Sequence, residues 1–292
     1  MNSKLKKIPT NWKAYEELSV IEKGNLLSES PHTLLAQQFN RSYLEKLCAL
    51  STKIRHISKT IEGNTFLKTL LKDKRAMLYF AQPSSRTYLS FNAACQILGL
   101  DTMDVRDSKT SSEIKGESPE DTIRTFSSYA DLIIMRHPTM GFAEKTAWIL
   151  SKSNREIPVL NAGSGADQHP TQALLDIYTL ERSFENQGGI DGKTILFVGD
   201  LKRGRTVRSL AWLLTLYNNI KLYFVAPNEL QISNDILVLL EETNTEYILG
   251  NSLTEYLNKA DAIYMTRLQD EWDQEGEKSN LEESFQINKN HL

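Results

Sequence analysis

Ala76-Met77-Leu78-Tyr79-Phe80-Ala81-Gln82-Pro83-Ser84-Ser85-Arg86-Thr87-Tyr88-Leu89-Ser90-Phe91 is the stretch that decides the fold. The apolar run 76–80 reads as a buried strand. Good helix formers follow Pro83 and stop at Gly99. Strand, short polar turn and helix start make the repeating unit of a parallel α/β sheet, and the same arrangement suits an anion. The N–H groups of a first helical turn point outward, and the helix dipole favours negative charge there. Ser84, Ser85 and Thr87 add hydroxyl donors, and Arg86 adds a charged fork matched to phosphate oxygens. Taken alone, these residues also fit a serine-capped helix carrying an exposed arginine.

Upstream, Asn40 is placed to cap a helix whose Leu44, Leu47, Cys48 and Ile54 share one face. Residues 1–35 are weakly periodic and receive no role. Downstream, 102–106 reads as a strand and 107–116 as a polar loop. Ser118-Pro119-Glu120-Asp121 then opens a helix with a cap, a first-position proline and two first-turn acids. Strands are expected at 132–135 and 157–160, with a helix at 142–150 between them. Asn161 to Gln172 reads as a tight polar turn leading to a helix over 173–180 that bridges two domains. Strands at 194–198, 222–225, 247–249 and 262–265 alternate with amphipathic helices such as 207–216. That alternation means parallel sheets with right-handed crossovers in both halves.

The fold class is therefore α/β, two domains, each a parallel sheet flanked by helices. Residues 1–35 form an N-terminal extension, 36–170 a first domain and 171–292 a second. A chain of 292 residues suits two such domains. Its 34 basic and 37 acidic residues give a net charge of −3, which argues against a nucleic-acid binder. The two cysteines, Cys48 and Cys95, read as buried thiols of a reducing compartment and exclude a disulfide framework. No apolar run approaches the ~18 residues of a membrane span. The basic start lacks the apolar stretch of a secretory signal, so the cytoplasm is the expected location.

Ligands of open parallel sheets bind beyond the carboxyl ends of the strands, and the polar clusters all fall there. Ser84 to Thr87 follow the first strand, Arg136 closes the third, and His169 and Gln172 follow the fourth. In the second half, Asp200 to Arg205 follow one strand, and Arg267 and Gln269 follow another. The first half gathers donors for a phosphate, the second arginines suited to carboxylates. No acid–base carboxylate pair, nucleophilic triad or metal-ligand cluster stands out. The implied chemistry is group transfer by positioning and charge stabilisation, with the substrate's own amine as nucleophile.

These residues carry a family resemblance over roughly residues 35 to 285. Pro83-Ser84-Ser85-Arg86-Thr87 resembles the phosphate-binding signature of the carbamoyltransferases. Lys115-Gly116-Glu117-Ser118, Met135-Arg136-His137-Pro138 and Gln168-His169-Pro170-Thr171-Gln172 resemble the next motifs, in the same order. Gly199 to Thr206 and Tyr264 to Gln269 are similar to the aspartate branch of the family, not the ornithine branch. The resemblance implies that Ser84, Ser85, Arg86, Thr87 and Arg136 bind the phosphate of carbamoyl phosphate. Thr87, Arg136 and His169 would polarise the carbamoyl carbonyl, and Gln172 would orient its amide. Ser111 and Lys115 match loop residues that reach a neighbouring subunit's site, which implies a homotrimer with shared sites; Lys115 would also meet aspartate. Arg205, Arg267 and Gln269 would hold the two carboxylates of aspartate. The product would be N-carbamoyl-aspartate, on the route to pyrimidines. No cofactor, metal, nucleic acid or membrane partner is implied, and a regulatory chain is a possible partner.

The sequence departs from the family at three places. Ser85 stands where threonine is usual and keeps the hydroxyl, and Tyr88 replaces a frequent arginine. After Gln269 the family continues through a His-Pro-Leu-Pro-Arg loop to a final helix, whereas this sequence ends at Leu292. The expectation is a truncated C-terminal part, with the strand at 262–265 left as an exposed apolar edge. The alternative to an active enzyme is a non-catalytic or weakly active relative that binds carbamoyl phosphate as a subunit or scaffold.

Overall fold

The computed structural model describes residues 9, 11–106, 117–153, 155–165, 168–267 and 285. The chain divides into two compact units, residues 1–172 and 173–292. As expected, each unit holds a four-stranded parallel sheet with helices around it.

In the first unit, α1 (Trp12–Glu16), α2 (Val20–Leu27), α3 (Arg41–Ile57) and α4 (Ile61–Leu67) precede the sheet. Then come β1 (Arg75–Phe80), α5 (Ser85–Leu98), β2 (Asp101–Val105), α6 (Pro119–Tyr129), β3 (Leu132–His137), α7 (Phe142–Ser151) and β4 (Val159–Ser164). The helix α8 (Pro170–Ser183) runs across the division between the units. Strand order is β2-β1-β3-β4, every pairing parallel. The chain moves from β1 outward to β2 and then returns to the other side of β1 for β3. Strands buried on both faces read as continuous apolar runs, and β1 does. Its Met77 and Tyr79 pack with Ile123, Ile133 and Met135 on one face, while Ala76, Leu78 and Phe80 pack with Cys95, Ile134 and Ala162 on the other.

Local signals placed the helix starts well. Asn40 Oδ1 accepts from the Tyr43 N–H at 2.9 Å, and Ser118 Oγ from the Asp121 N–H at 3.2 Å, with Pro119 at the first turn of α6. One strand is displaced from its expected position. β4 begins at Val159 and runs on through Asn161–Ser164, where the sequence suggests a polar turn. The reason is pairing on both edges: Met135 is registered with Asn161 and His137 with Ser164, while the Asn161 N–H donates to the Thr33 carbonyl at 2.8 Å.

That last contact gives residues 9–38 a place within the first unit. Thr33 bridges to Leu160 in parallel, and the Val159 N–H donates to Nδ1 of the buried His32 at 3.0 Å. Trp148 Nε1 donates to the Pro9 carbonyl at 3.0 Å, and the Tyr15 hydroxyl donates to Glu144 at 3.0 Å, both partners buried. Lys23 lies 4.0 Å from the same carboxylate. The segment thus covers the free edge of β4 and one face of α7.

In the second unit β5 (Thr194–Val198), α9 (Arg205–Leu214), β6 (Lys221–Val225), α10 (Asn234–Glu242), β7 (Glu246–Gly250), α11 (Leu253–Tyr256) and β8 (Ala262–Met265) follow α8. Strand order is β7-β6-β5-β8, again all parallel. Phe197 stacks on Phe224 with centroids 5.2 Å apart, and Phe285 is buried with Leu196, Val198, Val225 and Leu253. Among the described residues β8 is an edge strand, with Ile263 and Met265 exposed, as the sequence suggests. No helix among them is long and apolar enough to cross a membrane.

A buried carboxylate that loses its donor is left under-satisfied, and hydrogen bonds to charged groups contribute roughly 1.5–3 kcal/mol. Tyr15→Phe should therefore lower the stability of the first unit by about that amount in urea or thermal unfolding. An unchanged midpoint would show that the N-terminal segment does not help to hold this unit.

Candidate functional site

Both sheets reverse their direction of winding once, and the candidate residues gather at those two reversals. In the first unit the reversal lies between β1 and β3. Phe80 is registered with Arg136, and the Gln82 N–H donates to the Arg136 carbonyl at 3.3 Å, so the turn after β1 lies against the end of β3. Ser84 occupies the N-cap position of α5, yet its side chain makes no capping bond. Its hydroxyl donates instead to Thr87 Oγ1 at 3.0 Å. Of the serine-capped alternative, the cap bond is thus absent, since no Ser84 oxygen accepts a first-turn N–H, while the exposed arginine is present at Arg86. Ser85 and Arg86 are exposed, while Ser84 and Thr87 are half-buried.

Arg136 and His169 come together over Gly163. Both side chains are buried, with 9% and 6% of their surface exposed. A Cβ on Gly163 would lie 2.7 Å from Arg136 Nη1 and 3.2 Å from His169 Cδ2. Gly163 also has φ of 111°, a conformation that L side chains rarely adopt. Arg136 Nη1 donates to the Ala162 carbonyl at 3.4 Å. Gln172 sits in the first turn of α8, its N–H donating to the His169 carbonyl at 3.1 Å. In the sequence Gly163 is marked only as a glycine inside a polar strand end, a recognised sign of close approach.

The turn that holds His169 is buttressed by a buried polar network. Asn161 Oδ1 accepts from the Gly163 N–H at 2.9 Å, and its Nδ2 donates to the Leu34 carbonyl at 3.0 Å. Gln168 Nε2 donates to Gln37 Oε1 at 3.2 Å, and the Gln168 carbonyl accepts from the Ser164 N–H at 3.2 Å. Gln38 Oε1 takes the N–H groups of Leu34 at 2.7 Å and Leu35 at 3.1 Å. Satisfied buried networks of this kind fix one arrangement, since each lost bond leaves a costly unpaired group. His137, next to Arg136, stacks on Phe142 at 3.9 Å between centroids and accepts the Thr139 N–H on Nδ1 at 3.1 Å. Burial pushes its pKa down to about 4, so it is neutral near pH 7.

In the second unit the reversal lies between β5 and β8. Asp200, fully buried, accepts the Arg203 N–H at 3.2 Å and Arg203 Nε at 2.7 Å. The N–H groups of Leu201 and Lys202 both donate to the Leu230 carbonyl, at 3.0 and 2.9 Å. This fixed loop delivers Arg205 to the first position of α9, two residues before the expected helix start. Gly199, with φ of 112°, packs directly against the backbone of Thr266, where a Cβ would lie 2.5 Å from the carbonyl oxygen. Thr266 is tied to Val198 through its N–H at 2.8 Å and its hydroxyl at 3.0 Å. The loop leading to Arg205 therefore touches the strand end that carries the exposed Arg267. Ser111, Lys115 and Gln269 lie outside the described residues. Among the described residues no group of three or more His, Cys, Asp or Glu could hold a metal ion.

Comparison with known proteins places relatives beside this geometry. The family model for the aspartate/ornithine carbamoyltransferase carbamoyl-P binding domain matches residues 31–182, and that for the Asp/Orn binding domain matches residues 191–292. Aspartate carbamoyltransferase 1 of Pisum sativum, chloroplastic by name, is 43% identical over 249 residues, covering 85% of this chain and 61% of that one. The aspartate carbamoyltransferase catalytic subunit of Methanocaldococcus jannaschii is 42% identical over 227 residues, covering 78% and 71%. The chain thus spans 61% and 71% of the lengths of these two curated relatives. The crystal structure of the M. jannaschii catalytic subunit is similar with a TM-score of 0.72 at 39% identity, covering 82% of this chain and 75% of that one. Aspartate transcarbamoylase of Trypanosoma cruzi, solved with carbamoyl phosphate and aspartate, matches with a TM-score of 0.71 at 38% identity, covering 82% and 77%.

Gly163→Ala should displace Arg136 and His169 and weaken binding of a phosphate-bearing anion by roughly 5- to 150-fold, since strain of this type costs roughly 1–3 kcal/mol. Titration calorimetry would show it, and unchanged affinity would separate Gly163 from the site. His32 and His137 have pKa values near 4, lowered by burial from 6.5, so the unfolded chain binds their protons first on acidification. The stability they contribute is complete above pH 6.5 and is lost as pH falls towards 4, with a slope approaching roughly two protons. A denaturant midpoint that stays flat across this window would contradict both assignments.

Proposed function

This chain belongs to the aspartate/ornithine carbamoyltransferase family, and from that premise we propose that it transfers the carbamoyl group of carbamoyl phosphate to L-aspartate. The products are N-carbamoyl-L-aspartate and phosphate, a step towards pyrimidines. The observation that carries the proposal is the meeting of Arg136 and His169 over Gly163, at the strand end touching the turn before α5. In this reading the phosphate lies on the first turn of α5, held by Ser84, Ser85, Arg86 and Thr87 and by Arg136. Thr87, Arg136 and His169 donate to the carbamoyl oxygen, and Gln172 orients the amide. The amine lone pair of aspartate attacks the carbonyl carbon, so a C–N bond forms and the C–O bond to phosphate breaks. The departing phosphate takes the bonding pair, and the proton released by the amine balances it. Fixed donors aimed at the developing oxyanion stabilise the tetrahedral intermediate more than the ground state.

Arg205, Arg267 and Gln269 hold the carboxylates of aspartate. Ser111 and Lys115 act at a neighbouring subunit's site within a homotrimer, with Lys115 also meeting aspartate, and a regulatory chain is a further partner. Names of relatives such as the M. jannaschii catalytic subunit favour turnover over a binding-only role. The cytoplasm is the compartment proposed, on the reduced-thiol reading of Cys48 and Cys95, although the pea relative carries a chloroplastic name.

The test is to incubate the purified chain with both substrates and quantify carbamoyl-aspartate. Product should form, and Arg86→Ala, at an exposed position, should lower kcat by about 10²–10³ if its donor acts in the transition state. No product, together with no thermal shift from carbamoyl phosphate, would overturn both the activity and the phosphate site.

A further inference from the structure

Tyr264 sits on β8 three residues before Arg267, facing opposite to its exposed neighbours Ile263 and Met265. Its ring lies 5.5 Å from that of Phe197 on β5, and its hydroxyl donates to Asp176 Oδ2 on α8 at 3.0 Å. The hydroxyl of Thr206, the residue after Arg205 on α9, lies within donating reach of the same phenol oxygen. One phenol thus joins three elements: the strand leading to Arg267, the helix opened by Arg205, and the helix whose first turn carries Gln172.

We infer that the Tyr264 hydroxyl, with Asp176 and Thr206, is a positioning device that sets the spacing of Arg205 and Arg267 for a dicarboxylate substrate. The inference rests on the aspartate-binding reading of those two arginines. The physical reason is geometric. Two charged forks grip a small dianion well only if their separation matches the carboxylates, and misplacement by about 1 Å costs orders of magnitude in such sites. The backbone already fixes the base of each loop, through Thr266 on Val198 and Asp200 on Arg203. What remains is the rotation of the first turn of α9 against the end of β8, and the Thr206–Tyr264 contact spans that joint. Asp176 completes it by accepting the phenol proton, which leaves the phenol oxygen to accept from Thr206. Burial and the nearby carboxylate push the Tyr264 pKa well up, so the phenol stays protonated and keeps donating.

The test uses the full chain and three substitutions. Tyr264→Phe keeps the ring and its packing but removes the hydroxyl. It should raise KM for aspartate at least about tenfold, the size of a lost hydrogen bond to a charged group. KM for carbamoyl phosphate should stay within about twofold. Thr206→Val should act in the same direction, and Asp176→Asn, which retains an acceptor, should recover most of the loss seen with Asp176→Ala. A wild-type aspartate KM in Tyr264→Phe and Thr206→Val would overturn the inference while leaving the proposed function standing. Parallel changes in both KM values and kcat, tracking a lower thermal midpoint, would overturn it in favour of a packing role. Absence of turnover in the wild-type chain would overturn the functional reading, and the inference with it.

Discussion

A parallel sheet whose crossovers change direction leaves a gap at the change, because neighbouring strand ends send their chains apart. This chain makes that change twice, between β1 and β3 and again between β5 and β8. The candidate residues that the structure describes are arranged around these two gaps. In the first, a helix start, a buried guanidinium and a buried imidazole converge. In the second, two arginine-bearing segments touch through Gly199 and Thr266. The winding order supplies the space, and the residues at the strand ends supply the charge.

Keeping polar groups buried at such a place demands partners for each of them. The first unit meets that demand with side-chain amides. Asn161, Gln168, Gln37 and Gln38 are all at least nine-tenths buried and are bonded to backbone or to one another. Their bonds join the N-terminal segment to the turn that carries His169. Residues 9–38 are therefore coupled to the candidate site as well as to the edge of β4.

Much of this was legible in the sequence because it rests on local chemistry. The runs 76–80 and 194–198 are apolar enough to announce strands buried on both faces, and Asn40 and Ser118 announce helix starts. Strand-end arginines such as Arg136 could be picked out once the sheets were known to be parallel. The parts that were not legible depend on partners far along the chain. Asn161 looks like a turn residue until its amide finds the Leu34 carbonyl, 127 positions away. The role of Tyr15 is invisible without Glu144, and that of Gly163 is invisible without Arg136 and His169 on either side of it. Arg205 was expected in a loop and instead opens α9, because Asp200 clamps Arg203 and turns the chain early.

If the chain acts as proposed, the gap between β1 and β3 holds the phosphate and the reacting carbonyl. A crystal structure of this chain with carbamoyl phosphate bound addresses it most directly. The phosphate is expected on the first turn of α5, with Ser84 to Thr87 and Arg136 around it. The carbamoyl carbonyl is expected to point at donors from Thr87, Arg136 and His169, which lie roughly 2.7–3.1 Å from where its oxyanion forms. A molecule bound away from these residues, or one whose carbonyl turns from His169, would contradict it.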